Sequence, residues 1–116
     1  MLTRAAIPII YVLHDFDVPA YLKPYIKEIT YGIEEEGLFS DIVSNEKGSI
    51  SKAAYQYALA SPLGVAVGVG RDFIVLADRH MKDKRPVLQY PELNPAICRK
   101  AGQNAARLVK CKPFLL

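Results

Sequence analysis

The sequence predicts an α/β fold in which helices pack on a mixed five-stranded sheet. Three observations predict it. A continuous apolar run rich in β-branched residues, Ala5 to Leu13, suits a strand covered on both faces. Two segments carry apolar residues at helical spacing behind clear start signals, one ending at Glu36 and one beginning at Asn94. Between them, short apolar runs are separated by turn residues. The resulting order (strand, helix, strand, helix, three strands, helix) gives a mixed sheet with helices packed on it.

Taken in order, Pro8 sits early in the first strand, where a missing ladder donor is tolerated. His14 to Pro19 reads as a loop. The first helix runs from about Tyr21 or Pro24 to Glu36, because proline is tolerable only in the first turn. Leu22, Ile26, Ile29 and Ile33 form its core stripe. Lys27, Glu28, Tyr31 and Glu35 point away from that stripe, Glu36 lies nearer its edge, and Gly37 is a natural left-handed cap.

The second strand is Leu38 to Ser44, followed by the turn Asn45-Glu46-Lys47-Gly48. Ser49 or Ser51 caps a second helix running to about Ser61, with Ala54, Ala58 and Leu59 inward. Gly64 to Gly70 is the third strand, and Phe73 to Ala77 the fourth, close enough to form a hairpin. Pro86 to Tyr90 is a short fifth strand at an edge. Asn94-Pro95 starts the last helix, which runs to about Lys110. Its inward residues are Ile97, Ala101, Ala105 and Leu108, and Gly102 allows close backbone approach.

Length and composition fit one globular domain spanning residues 1–116. The net charge of +3 is mild, and no basic stripe interleaved with aromatics suggests nucleic-acid binding. The apolar run is too short to span a bilayer. Cys98 and Cys111 have neither a zinc nor a redox-motif spacing and read as reduced, packed thiols of a cytosolic protein.

Four constellations bear on chemistry. The glycines of Gly64 to Gly70 lie within a strand and another strand follows, so they suit tight sheet packing rather than a dinucleotide loop. His14-Asp15-Phe16-Asp17 follows the first strand; His14 with the two acids could bind a metal, do acid–base work (a small enzyme would use His14 and Asp15), or be part of an ordinary polar loop. The basic run from Arg79 to Arg85, with His80 and only Asp78 and Asp83 as acids close in sequence, reads as a solvated loop open to contact with a partner. The fourth is Gly32-Ile33-Glu34-Glu35-Glu36-Gly37, three acids in the last turn of a helix, where the dipole disfavours anions. That end is either simply solvated or compensated by a cation, a metal or a partner's basic group. No catalytic set emerges, which favours a binding or assembly module.

Four segments in order carry a resemblance: Gly32 to Gly37; Ala60-Ser61-Pro62-Leu63; Asp78-Arg79-His80-Met81; and Gly102-Gln103-Asn104-Ala105-Ala106-Arg107-Leu108-Val109-Lys110 followed by Pro113-Phe114. With them the chain resembles the dehydratase medium-subunit family, and within it the small subunits of diol and glycerol dehydratase-reactivating factors. The resemblance spans about residues 5–114. It implies a three-layer α/β/α sandwich like the medium (β) subunit of cobalamin-dependent diol dehydratase.

It also implies a non-catalytic chain that pairs with a large ATPase subunit, two of each. That chain would transiently take the medium subunit's place against the dehydratase large subunit, so that damaged cobalamin is released. ATP would enter only through the large subunit. Glu35, the middle glutamate, is implied to ligate a divalent cation, Mg or Ca, at the subunit interface. Glu28, Tyr31, Glu34 and Glu36 are the further residues expected to face the partner.

The resemblance places the protein in the cytoplasm, free or inside a bacterial microcompartment, with no nucleic-acid or membrane partner. The alternative is a short cobalamin-binding or structural subunit of a diol or glycerol dehydratase itself. The short chain favours the reactivating role.

Overall fold

The computed structural model describes residues 8–81 and 85–116. Its strands are β1 (Ile9–Asp15), β2 (Phe39–Asn45), β3 (Val65–Val69), β4 (Ile74–Asp78) and β5 (Leu88–Tyr90). Its helices are α1 (Lys23–Glu35), α2 (Ile50–Ala60) and α3 (Pro95–Val109), with a 3-10 turn at Ala20–Leu22 leading into α1. The sheet order is β2-β1-β3-β4-β5. β1 is parallel to both β2 and β3, whereas β4 and β5 join antiparallel. The mixed five-stranded α/β architecture is therefore the one expected.

The chain winds outward from β1 to β2 through α1, then back across β1 to β3 through α2. Two parallel crossovers of the same hand but opposite direction put their helices on opposite faces of the sheet. The core divides accordingly. On one face, Ile10, Val12, Val65, Val67 and Val69 pack against α1 and α3. On the other, Leu13, Ala66, Val75 and Ala77 pack against Ile50, Ala54 and Ala58 of α2. The second face is lined by small residues, so α2 lies close. A Cβ built on Gly68 would sit 3.2 Å from Ala54 Cβ, which accounts for that glycine as a packing residue.

The caps act as expected. Ser49 Oγ accepts from Lys52 N and Asn94 Oδ1 from Ile97 N, at 3.3 and 2.8 Å. The segment Ala60 to Gly64 is fastened at its buried serine. Ser61 Oγ donates to the Ile9 carbonyl and accepts from Leu63 N, at 3.3 and 3.2 Å. The Arg79 guanidinium donates to the Ser61 carbonyl, and Arg79 N donates to the Gly64 carbonyl. The second and third segments of the resemblance thus meet in one turn.

The structure corrects several expectations. His14 and Asp15 are the last residues of β1, not a loop. β1 begins at Ile9; residues 5–7 of the expected strand, and 82–84 of the basic run, lie outside the described residues. Leu59, expected inward, is exposed, because α2 turns its Ile50-Ala54-Ala58 stripe to the sheet. Among the described residues, no helix is long and apolar enough to cross a membrane.

α1 and α3 share a face and cross at two glycines. A Cβ on Gly32 would overlap the Arg99 carbonyl oxygen and approach Gln103 N to 2.8 Å. A Cβ on Gly102 would overlap the Ile29 carbonyl oxygen and lie 2.9 Å from its carbon. Backbone meets backbone at this crossing, with no side chain able to yield. Gly102→Ala is therefore expected to destabilise the fold by about 1–3 kcal/mol, the usual range for overpacking. Urea unfolding checks this; an unchanged midpoint would contradict the crossing.

Candidate functional site

The site is built from the C-terminal end of α1 and the flank of α3 beside it. The turn that ends α1 is a Schellman motif. Gly37 N donates to the Glu34 carbonyl at 2.9 Å and Leu38 N to the Ile33 carbonyl at 3.3 Å, with Gly37 at φ +85°. Ile33 and Leu38 both pack into the core, as that motif favours.

Contacts along α1 and α3 advance together: Glu28 with Arg99, Glu35 with Arg99 and Gln103, Glu36 with Arg107 and Lys110. The two helices therefore run the same way, and their negative ends lie side by side. Three glutamates at that place would be unfavourable alone. α3 supplies the cations. Arg99 Nε lies 3.0 Å from Glu28 Oε1, and its Nη1 lies 3.0 Å from Glu35 Oε1. Gln103 Nε2 donates to the same Glu35 oxygen at 3.0 Å. Arg99 also lies over the Tyr31 ring, 5.7 Å from its centroid. Its guanidinium is held above its ordinary pKa, first by the hydrogen bond to Glu35 and further by Glu28.

Glu36 is the most enclosed of the three acids, its side chain 13% exposed against 46% for Glu35. Arg107 Nε approaches it at 3.4 Å, and Lys110 Nζ at 3.6 Å. Lys110 also donates to the Glu36 main-chain carbonyl, satisfying one of the orphan acceptors of α1. Glu34 departs from the set. It is exposed and lines a shallow hollow on the β2 side with Lys27, Thr30, Ser40, Asp41 and Ile42.

Several residues of the last resemblance segment have direct structural roles. Gly102 makes the crossing and Gln103 holds Glu35. Asn104 is buried: its Oδ1 accepts from Leu115 N at 2.7 Å, and its Nδ2 donates to the Leu115 carbonyl at 3.0 Å and to Tyr90 Oη at 2.9 Å. Arg107 donates to the Pro113 carbonyl, so the tail is held against α3. Sequence reasoning placed Gln103, Arg99 and Arg107 on α3 but missed their pairing. The signal available was their spacing of four residues on one flank of a helix whose partner carries the acids.

The donor chemistry limits what this end can hold. A hard divalent cation takes six or more oxygen ligands. Among the described residues no group of three His, Cys, Asp or Glu side chains could hold a metal. Glu35 has Oε1 engaged by Arg99 and Gln103, leaving Oε2 with no hydrogen bond among the described residues. The chain can thus contribute one carboxylate oxygen to a site completed by another molecule.

His14 and Asp15 do not form a pair. Successive strand residues point to opposite faces. His14 lines an apolar hollow of about 180 Å³ with Lys23, Ile26, Lys27 and Ile42, and its Nδ1 is 2.8 Å from the Asp15 carbonyl. Asp17 is taken by Arg71 at 2.9 Å. Burial, followed by the neighbouring Asp17 charge, raises the Asp15 carboxyl above 3.8. The folded state therefore holds this proton more tightly than the unfolded chain does. The contribution is fully present below 3.8 and is lost as pH rises through the folded value. Asp15→Asn should raise the melting temperature at neutral pH and leave it nearly unchanged in acid, as read by thermal unfolding across pH.

The two thiols differ in the same physical way. Cys98 is buried as expected, and desolvation with the nearby Glu28 charge pushes it up to about 11, whereas Cys111, expected to be packed, is exposed. A thiol reagent at mildly alkaline pH should modify one cysteine per native chain and the second only on unfolding. Rapid modification of both would contradict the packing of α3.

The family model for the dehydratase medium subunit matches residues 7–115, and the chain belongs to that family. It is 34% identical over 90 residues to the diol dehydratase-reactivating factor small subunit of Klebsiella michiganensis, covering 76% of this chain and 71% of that one. It is 36% identical over 89 residues to the propanediol dehydratase-reactivating factor small subunit of Salmonella typhimurium, covering 75% and 76%. Among solved structures it matches a chain of the diol dehydratase-reactivating factor complexed with ADP and Mg2+. The TM-score is 0.79, with 28% identity over 94% of this chain and 98% of that one. A glycerol dehydratase reactivase chain matches at TM-score 0.82 and 23% identity, covering 94% and 97%, and shows the shared fold.

Proposed function

We propose that this chain is the non-catalytic small subunit of a reactivating factor for an adenosylcobalamin-dependent diol or glycerol dehydratase. The observation that carries the reading is the family match across residues 7–115 together with relatives that are themselves reactivating-factor small subunits. The chain pairs with a large ATPase subunit in a cytoplasmic hetero-oligomer, two of each. ATP enters through that partner, in keeping with a neighbouring factor complexed with ADP and Mg2+. By its likeness to the medium subunit, the chain takes that subunit's place beside the dehydratase large subunit, and damaged cobalamin is released.

Within that assembly Glu35 is the residue assigned to the interface cation. A Mg or Ca ion there supplies positive charge that draws two subunits together. Arg99 and Gln103 hold the Glu35 carboxylate by one oxygen, which fixes the direction in which the other is offered. Glu28 and Tyr31 flank it through their shared contact with Arg99. Glu36, tied to Arg107 and Lys110, holds the helix end in place.

Co-expression with the large subunit should give a stable complex that restores activity to an inactivated dehydratase when ATP and adenosylcobalamin are supplied. Glu35→Gln should weaken the complex about tenfold or more, by loss of one charged ligand, and remove its dependence on divalent cation while leaving the melting temperature of the free chain within a degree or so. Absence of any complex would sink the assignment. A Glu35→Gln complex of unchanged cation dependence would remove Glu35 from the interface. Tight binding of cobalamin by the chain alone, seen by absorbance titration, would favour a cobalamin subunit instead.

A further inference from the structure

The two edges of the sheet are built differently. β5 has three residues and lies between Pro86 and Pro91, so it offers little to a passing strand. β2 has seven residues in unbroken parallel register with β1 and, among the described residues, pairs on that side only. It contains neither proline nor lysine, the usual devices that blunt an edge. It also exposes two large apolar side chains, Phe39 at 66% and Ile42 at 38%. Such an edge is a ready template for another strand.

The charge beside this edge selects the occupant. The α1 flank over β2 carries Lys23, Lys27, Thr30 and Glu34 at helical spacing. Two adjoining hollows follow the flank and share Lys27 and Ile42. One lies toward the end of β2 and has Lys23 and His14; the other lies toward its start and has Glu34 and Asp41. The groove is therefore basic at one end and acidic at the other, with Lys27 and Ile42 between them. A two-fold axis perpendicular to the sheet reverses this order in a second copy, so each basic end meets an acidic end. A parallel copy would set Lys23 against Lys23 and Glu34 against Glu34 and would not close, whereas the two-fold arrangement leaves only the central Lys27 facing its own counterpart.

We propose that β2 is a self-association edge, on which a second copy of this chain pairs its own β2 antiparallel about a two-fold axis through Ile42. Two five-stranded sheets then become one continuous sheet. Ile42, the middle residue of the strand, faces Ile42 of the second copy, Ser40 faces Ser44, and Phe39 faces Asn45. The paired α1 flanks set Lys23 of each copy toward Glu34 of the other. The flank between α1 and α3 that carries Glu35 and Arg99 stays free, so the inference does not depend on that flank meeting a different subunit.

Sedimentation equilibrium of the purified chain should show a monomer–dimer equilibrium. Ile42→Lys should give a monomer with unchanged circular dichroism. Lys23→Glu and Glu34→Lys should each raise the dimer dissociation constant about tenfold, since an isologous contact counts each reversed pair twice. The double reversal Lys23→Glu with Glu34→Lys should restore it. Ile42→Cys in a Cys111→Ser background should form a disulfide-linked dimer on mild oxidation. If Ile42→Lys does not fold, the charge reversals, which lie on an exposed flank, carry the test. A chain that stays monomeric at every concentration would overturn the proposal. So would a dimer indifferent to these variants, a double reversal no tighter than the single ones, or β2 amides protected from exchange only when a different subunit is present.

Discussion

The crossing of α1 and α3 at Gly32 and Gly102 is the contact on which the rest of this molecule depends. Each glycine faces main-chain atoms of the opposite helix, so the helices approach more closely than side chains would permit. Close approach and common direction bring the flanks of both helices within reach over several turns. Glu28, Glu35 and Glu36 then meet Arg99, Arg107 and Lys110 in sequence. With a methyl group at either glycine, the crossing would have to open and the ladder of pairs would lose its register. The packing contact comes first, and the electrostatics are its consequence.

That ladder accounts for an arrangement that opposes elementary helix electrostatics. Two parallel helices bring two negative ends together, and the chain adds three carboxylates. The compensation comes from α3, whose own last turns need cations for the same reason. Arg107 and Lys110 serve both ends at once, one through the enclosed Glu36 carboxylate and the other also through the main-chain carbonyl. The three glutamates are thereby separated by role. Glu36 is enclosed and completes the helix end, Glu35 is half open and held by one oxygen, and Glu34 turns toward β2.

Most of the architecture was legible because local signals and periodicity agreed. Pro24, Gly37, Ser49 and Asn94-Pro95 bounded the helices to within a residue or two, and the small residues of β3 announced a close layer. Polar residues at the end of a strand look like the start of a loop, which is why His14 and Asp15 read as one; the pairing of His14 with Val69 of β3 and of β1 with β2 out to Asn45 shows the strand continuing. Leu59 was placed inward from hydrophobicity alone, although the sheet face it would need is already filled by Ala54 and Ala58. At the candidate site, helical angle singled out Glu35. The same angle could not show that its first partner is Arg99, some sixty residues later in the chain, because non-local pairing leaves no local pattern. Glu34 and Glu35 differ by one step of the helix, and that step sends them to opposite flanks.

The distribution of burial along α1 argues that stability and recognition are carried by different residues of one motif. An exposed ion pair is worth about 0–1 kcal/mol, since water and salt screen it and ordering two side chains costs entropy. The Arg99–Glu35 pair is of that kind, with both side chains more than a third open. The glycine crossing, the Schellman turn and the Ile29-Ile33 stripe bury backbone and apolar surface, and they supply the stability. Glu35 is therefore not needed to hold α1 in place. What its contacts do supply is orientation, since two donors on one oxygen restrict the carboxylate and leave the other oxygen without a hydrogen bond among the described residues. A residue that adds little to the fold while its direction is fixed by neighbours from another helix is disposed to meet a second molecule. That is the physical ground of the proposal that Glu35 meets a partner, apart from any family likeness.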